Sequence, residues 1–261
     1  VRARVLPVAN QKGGVGKTTT ALSLAAALGR MGRKVLVLDL DPHVSASIHL
    51  QFYPERLQYT AYDLFQNLSS TSPAHLMDIW NKVRYAGNGL AFDFVPSHTR
   101  LSELEIDLHN RPAKGMILQE ALAAVVDDYE YIILDCPPHM GILLVNALVA
   151  ADLLLIPIQT DFLALNGLRL LFDTMRTLNR VLPRPIEYMV LATMYDQRAS
   201  ACKRVMQLLR RKMGGKMFDT VIHIDTKFRE ACALGKVIYD IAPAARGATE
   251  YLQLAKEIEA A

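Results

Sequence analysis

Cysteine is scarce. The 261 residues contain three, Cys136, Cys202 and Cys232, too far apart to form a C-x-x-C pair. Neither a disulfide framework nor a zinc site is indicated, and the count suits a reducing cytosol. Long apolar runs are also missing. Nothing approaches the roughly 18 to 20 residues needed to cross a bilayer, and the N-terminal stretch lacks the basic-then-apolar order of a secretion signal. Charge of one sign has little excess: 29 Lys and Arg against 26 Asp and Glu leave a net charge of +3. That is too little to argue by itself for nucleic acid or an anionic membrane. Tryptophan occurs once, at Trp80, and no internal repeat is present.

Apolar material is plentiful, at 51% against 21% charged. It is enough for one large core and excludes disorder. Short aliphatic or β-branched runs at residues 5–9, 34–39, 91–95, 131–135, 153–158, 188–193 and 220–224 read as strands. Stretches of helical period at 17–31, 113–126, 141–150, 163–182, 200–213 and 248–260 alternate with them, which is the signature of a parallel sheet. Runs such as Val35-Leu36-Val37-Leu38 and Ile132-Ile133-Leu134 are apolar without interruption. Such strands are buried on both faces, so a three-layer α/β architecture is expected, with residues 1–261 forming a single domain. Residues 51–89 are the least regular, with Ser69-Ser70-Thr71-Ser72-Pro73 and Trp80; they read as an inserted surface region.

The most specific segment is Asn10-Gln11-Lys12-Gly13-Gly14-Val15-Gly16-Lys17-Thr18-Thr19-Thr20, after the first strand and opening the first helix. Glycines let successive backbone N–H groups curl around an anion, and the helix N-terminus adds a favourable dipole. Lys17 supplies a point charge for the β- and γ-phosphates, and the Thr18 hydroxyl can ligate Mg²⁺. The strict G-x-x-x-x-G-K-[ST] pattern is not met, because Gln11 stands where its first glycine belongs.

Carboxylates follow at two strand ends, where open α/β sheets bind ligands. Asp39-Leu40-Asp41-Pro42-His43 ends the second strand, and Tyr131-Ile132-Ile133-Leu134-Asp135-Cys136-Pro137-Pro138 reads as a Walker B strand. Asp135 suits Mg²⁺, a hard cation that prefers oxygen ligands. Asp39 has a second reading as a strand-end cap of local backbone, and Cys136 reads as a buried structural cysteine ahead of a nucleophile.

Lys12-Gly13-Gly14-Val15-Gly16-Lys17-Thr18 resembles the deviant Walker A motif of the ParA/MinD family of partitioning and positioning ATPases, whose loop carries an early extra lysine. The resemblance covers nearly the whole chain outside residues 51–89 and implies a P-loop NTPase fold with a mostly parallel sheet. It implies ATP and Mg²⁺ as cofactors, held by Lys12, Gly13, Gly14, Val15, Gly16, Lys17, Thr18 and Thr19, with Thr18, Asp41 and Asp135 around the metal. Lys12 would reach across a nucleotide-sandwich homodimer to the partner's phosphates, acting on developing charge as an arginine finger does. Gly13 would sit where the subunits approach too closely for a Cβ. The D-x-D-P string resembles switch I, with Asp41 positioning the attacking water; His43 stands where the family most often has Gln. In that respect 43–47 resemble orphan members that position cargo such as chemotaxis arrays. Cys136-Pro137-Pro138-His139-Met140-Gly141 resembles switch II, and 157–159, 164–168 and 193–198 resemble later family blocks. Met194 and Pro243 correspond to places where the family contacts adenine.

From Arg198 to Lys216 there are seven basic residues and no acidic one. Lys203 and Arg210, like Arg204 and Arg211, are seven apart and stack two turns apart on a helix, while Val205, Leu208 and Leu209 can turn inward. A solvated helix face is the plain reading of such a stripe. The family's non-specific DNA binding favours a phosphate-contacting surface, with Lys227, Arg229, Lys236 and Arg246 as its extension. Ile224 stands where partitioning members often carry a DNA-contacting Arg. The final stretch Leu254-Ala255-Lys256-Glu257-Ile258-Glu259-Ala260-Ala261 carries two glutamates, unlike the basic membrane helix of a MinD-like member.

The resemblance therefore implies a slow ATPase, stimulated by a protein partner, that dimerises on ATP and rides DNA in the cytoplasm at the nucleoid. Its task would be to segregate DNA or position cargo. A MinD-like membrane ATPase and a metabolic or electron-transfer relative are the alternatives. Nitrogenase iron protein needs cluster cysteines across a dimer axis, which Cys136, Cys202 and Cys232 do not match, and no substrate-carboxylate site of an amidoligase is apparent.

Overall fold

A computed structural model describes residues 2–67, 72–86, 89–108, 110–161 and 168–261. The chain runs β1 (Arg4–Val8), α1 (Lys17–Arg30), β2 (Val35–Asp39), α2 (Ser45–His49), α3 (Ala61–Asn67), α4 (Pro73–Val83) and β3 (Asp93–Val95). It continues α5 (Leu104–Asp107), α6 (Ile117–Leu122), β4 (Tyr131–Asp135), α7 (Ile142–Ala150), β5 (Leu154–Gln159), α8 (Arg169–Leu178) and β6 (Tyr188–Tyr195). Then come α9 (Ser200–Met213), β7 (Met217–His223), α10 (Lys227–Ala233), α11 (Ile238–Ile241) and α12 (Arg246–Ala260). The strands form one sheet in the order β3-β2-β4-β1-β5-β6-β7, and every pair is parallel.

Strand period decides where the cores sit. Leu36, Leu38, Ile132, Leu134, Leu154, Ile156, Val190 and Ala192 point into one core, beneath α3, α4 and α6–α9. Leu6, Val8, Val35, Val37, Ile133, Leu155 and Leu191 point into the other, beneath α1, α11 and α12. The α1 helix is buried from Thr20 to Leu28, where small Ala21 and Ala25–Ala27 let it lie close to the sheet. Its exit is tighter still: a Cβ on Gly29 would stand 2.0 Å from the Ala91 carbonyl oxygen, so only glycine fits.

Residues 51–89 correct the expectation of an irregular surface insert. They carry α3 and α4, and Trp80 and Phe65 are buried in the first core. The Trp80 indole N–H donates to the Ala121 carbonyl at 2.9 Å, tying α4 to α6. Two short helices, the second opened by Ser72 and Pro73, escape a reading that needs long periodic stretches. The expected helix at 113–126 is a 3₁₀ turn at Lys114–Met116 followed by the short α6. Residues 162–167, which include most of the 164–168 block and the start of the 163–182 helix, lie outside the described residues, as do Ser69, Ser70 and Thr71.

Candidate functional site

Four strand ends converge at the C-terminal edge of the sheet. After β1, the Asn10 side chain donates to the Pro157 carbonyl at 2.8 Å and accepts from the Lys12 amide at 3.0 Å. That buried anchor turns the chain into the glycine loop. Gly14 and Gly16 have φ of 74° and 88°, a left-handed region open to glycine at little cost. Gly13 differs, because its φ is ordinary and nothing among the described residues lies within 4 Å of where its Cβ would be. Within the single chain, the described residues give no reason for glycine there.

Lys17, in the first turn of α1, is nearly buried and donates to the Lys12 carbonyl at 3.2 Å. Burial lowers its pKa, opposed by Asp135 and Asp41. The Thr18 hydroxyl donates to Asp135 Oδ2 at 2.7 Å. The other Asp135 oxygen, Oδ1, is buried with no hydrogen-bond partner among the described residues. Burial, with Asp39 nearby, pushes the Asp135 carboxyl well above the usual range. An orphaned buried carboxylate oxygen beside a threonine hydroxyl suits a hard divalent cation. Thr18 and Asp135 therefore fit Mg²⁺.

Asp41 is nearly buried at the end of β2. Its Oδ1 accepts from the His43 amide at 2.9 Å and lies 2.9 Å from His43 Nδ1. The His43 ring meets His139 of the loop after β4 edge-on, with ring centroids 6.3 Å apart. Asp39 accepts from the Asp41 amide, the Ser47 amide and the Ser47 hydroxyl at 3.0, 2.8 and 2.7 Å. The capping reading of Asp39 matches these bonds. Burial raises its carboxyl to about 7, and Asp41 adds to the rise. Cys136 is fully buried, and burial, with Asp135 beside it, drives its thiol pKa up. Its place is structural.

Lys12 forms an ion pair with Asp161, just past β5, with both side chains about a third exposed. That partner lies 149 residues on and had no sequence signal. A cavity of about 590 Å³ extends from Gly16, Thr18 and Thr19 between Met194 and the β7–α10 turn. Met194 has φ 51°, at an irregularity in the β6–β7 register. Its Cε lies 3.9 Å from where a Gly16 Cβ would be. The far wall includes His223, Thr226, Arg229, Cys232 and Tyr251, none nominated from sequence for this cavity. Pro243 is exposed in the turn after α11 and does not line it.

On α9, Val205, Met206 and Leu209 face inward, and Leu208 is half-buried. Lys203, Arg204, Arg210 and Arg211 are exposed. Arg210 lies 3.9 Å from Asp219, and Lys227 pairs with Glu230 at 2.6 Å. Phe228, next to Lys227, packs against the second core, whereas α9 packs against the first.

A family model described as an AAA domain matches residues 3–187. The sporulation initiation inhibitor protein Soj of Bacillus subtilis is 35% identical over 258 residues, 98% of each chain. The chromosome partitioning protein ParA of Caulobacter vibrioides is 38% identical over 263 residues, 98% of this chain and 93% of that one. Cobyrinic acid a,c-diamide synthase from Mycobacterium smegmatis, solved with ADP and magnesium, superposes with a TM-score of 0.80 at 27% identity, covering 97% of this chain and 93% of that one. An ATP complex of a Cyanothece McdA variant shares the fold, with a TM-score of 0.84 at 20% identity over 99% and 97% of the chains. With the lysine-bearing glycine loop, the carboxylates at the ends of β2 and β4 and near full-length likeness to Soj and ParA, this chain belongs to the ParA/MinD family of P-loop ATPases.

Proposed function

We propose that the chain is an ATP-driven dimerising switch that binds DNA without sequence preference and hydrolyses ATP slowly to reset. The observation that carries the reading is the Thr18–Asp135 pair with its orphaned Oδ1, set at the mouth of a glycine loop whose Gly13 faces open space. The loop amides and Lys17 would bind the triphosphate, and Thr18 and Asp135 would hold Mg²⁺. When bound, the metal neutralises charge on the β- and γ-phosphate oxygens. Asp41 would orient the attacking water through Oδ2, which has no hydrogen-bond partner among the described residues, while His43 occupies Oδ1. Lys12 would leave Asp161 and complete the site of a second copy, where a charge on the transferring phosphoryl group is worth most. The vacant space over Gly13 supports that approach, and the base would occupy the cavity beside Met194.

Lys203, Arg204 and Arg211 make the α9 face the leading phosphate-contacting surface, since they carry no ion-pair partner among the described residues. The α12 helix buries Tyr251, Leu254, Ala255 and Ile258 in the second core, so its apolar face is not free to lie on a membrane. No helix among the described residues is long and apolar enough to cross a bilayer. A protein partner would accelerate hydrolysis, as a switch that must reset on cue requires. An amide-forming reading draws on the 27% identical synthase, but the Soj and ParA likeness is stronger over the same length.

The test is binding to non-specific duplex DNA at two salt concentrations with ADP, with ATP, and with ATP plus Arg211→Glu. ATP-dependent binding that weakens steeply with salt and falls in the variant is expected. An ATP dimer with no DNA binding in any state would overturn the DNA assignment.

A further inference from the structure

The Asp41 backbone is held from both sides. Its amide donates to Asp39 Oδ1 at 3.0 Å. Its carbonyl accepts from the Ser97 hydroxyl at 2.7 Å and from the Val44 amide at 2.8 Å. Asp39 Oδ2 takes both donors of Ser47, and the Ser47 hydroxyl oxygen in turn accepts from the Ser97 amide at 2.8 Å. The circuit Asp39–Ser47–Ser97–Asp41 is closed, and all four residues are buried. Ser97 lies two residues beyond β3, so the circuit clamps the loop after β2 to the end of the adjacent strand.

Inside the clamped loop sits a strained residue. Val44 has φ 53° and ψ 31°, a left-handed conformation that is an outlier for a β-branched side chain. Such strain persists only where surrounding bonds over-determine the backbone. The serine circuit and the three-donor cap on Asp39 supply that determination. Without it, the loop would relax around Val44 and carry the Asp41 carboxylate with it.

We infer that Ser47 and Ser97 are positioning residues for hydrolysis, which fix Asp41 with Oδ2 presented towards the phosphate loop and touch neither nucleotide nor water themselves. This inference rests on Asp41 being the residue that orients water. A small displacement of an orienting group costs rate far more than affinity, because binding depends on the loop amides and Lys17 while turnover depends on alignment.

The experiment measures turnover per nucleotide-bound molecule, ATP affinity and melting midpoint for Ser97→Ala, Ser47→Ala, Asp41→Ala and the Ser97→Ala/Asp41→Ala pair. Each serine variant should lose turnover by about 10- to 100-fold while ATP affinity stays within about twofold. In the Asp41→Ala background, Ser97→Ala should lower the residual turnover no further, since it acts through Asp41. Normal turnover by both serine variants beside an inactive Asp41→Ala would overturn the positioning role alone. So would lower melting midpoints with unchanged turnover per bound molecule, or a fully additive double variant. Normal turnover by Asp41→Ala would overturn the role of Asp41 itself and the positioning with it.

Discussion

The two halves of the cleft are built by different rules. The phosphate half is polar and tightly tied, by bonds that run within the loop or from one strand end to another: Lys17 to the Lys12 carbonyl, Thr18 to Asp135, and Asp41 into its serine circuit. The half beside Met194 is mostly apolar and assembled from β6, β7, α10 and α12, in the last third of the chain. Phosphate chemistry dictates residue type, because only backbone amides, a cation and a hydroxyl can meet a triphosphate and its metal. A flat aromatic base accepts many apolar walls, so that half is free to vary.

Substitutions should expose the asymmetry. The largest effect belongs to Lys17→Ala, which removes the buried cation facing the phosphates; titration should show ATP affinity falling about 10³-fold or more. Asp41→Ala should keep nucleotide binding and cut turnover by about 10²- to 10³-fold in a single-turnover assay, so that binding and chemistry separate within the phosphate half. In the other half, Met194→Ala should weaken ATP binding only about tenfold, the worth of one apolar wall. An equal collapse in both halves would remove the distinction.

How much of this was readable in the sequence depends on whether chain neighbours or the tertiary fold set each contact. All seven strands were legible, the central ones because buried parallel strands are continuous apolar runs; β4 falls on the expected residues 131–135, whereas β7 was read three residues late, since exposed Asp219 interrupts its run. The phosphate loop was legible because its geometry is set by neighbours in the chain. Short α2, α3 and α4 were not, because five to eleven residues hold too few turns to show a period. Asp161 beside Lys12, Ser97 beside Asp41, and the β7–α10 wall facing Met194 were invisible for another reason. Only the tertiary fold brings them together, and serine or aspartate in a loop carries no mark of its partner.

Two smaller effects sharpen the comparison. Val44→Gly should relieve about 1 kcal/mol of left-handed strain but also empties a buried side chain and loosens the unfolded chain, so the melting midpoint should fall, by less than truncation of an unstrained buried valine costs. At the cavity rim, His49 lies 2.8 Å from the Lys236 carbonyl, and burial lowers its pKa from 6.5. A lowered histidine pKa means the unfolded state takes up protons first, so stability is lost as pH falls below 6.5. His49→Gln should therefore gain on the parent chain when melting is compared at about pH 5.5 and pH 7.5.

The question on which the proposed switch turns is whether Lys12 acts in the opposite subunit. Lys12→Ala retains Asp41, and Asp41→Ala retains Lys12, so each variant lacks what the other can lend. Alone, both should be inactive. Mixed in equal amounts with ATP, they should recover up to about a quarter of the parent turnover, because half the dimers are mixed and each has one complete site. Inactivity of the mixture, with mixed dimers present by light scattering and native mass measurement, would contradict action across the interface.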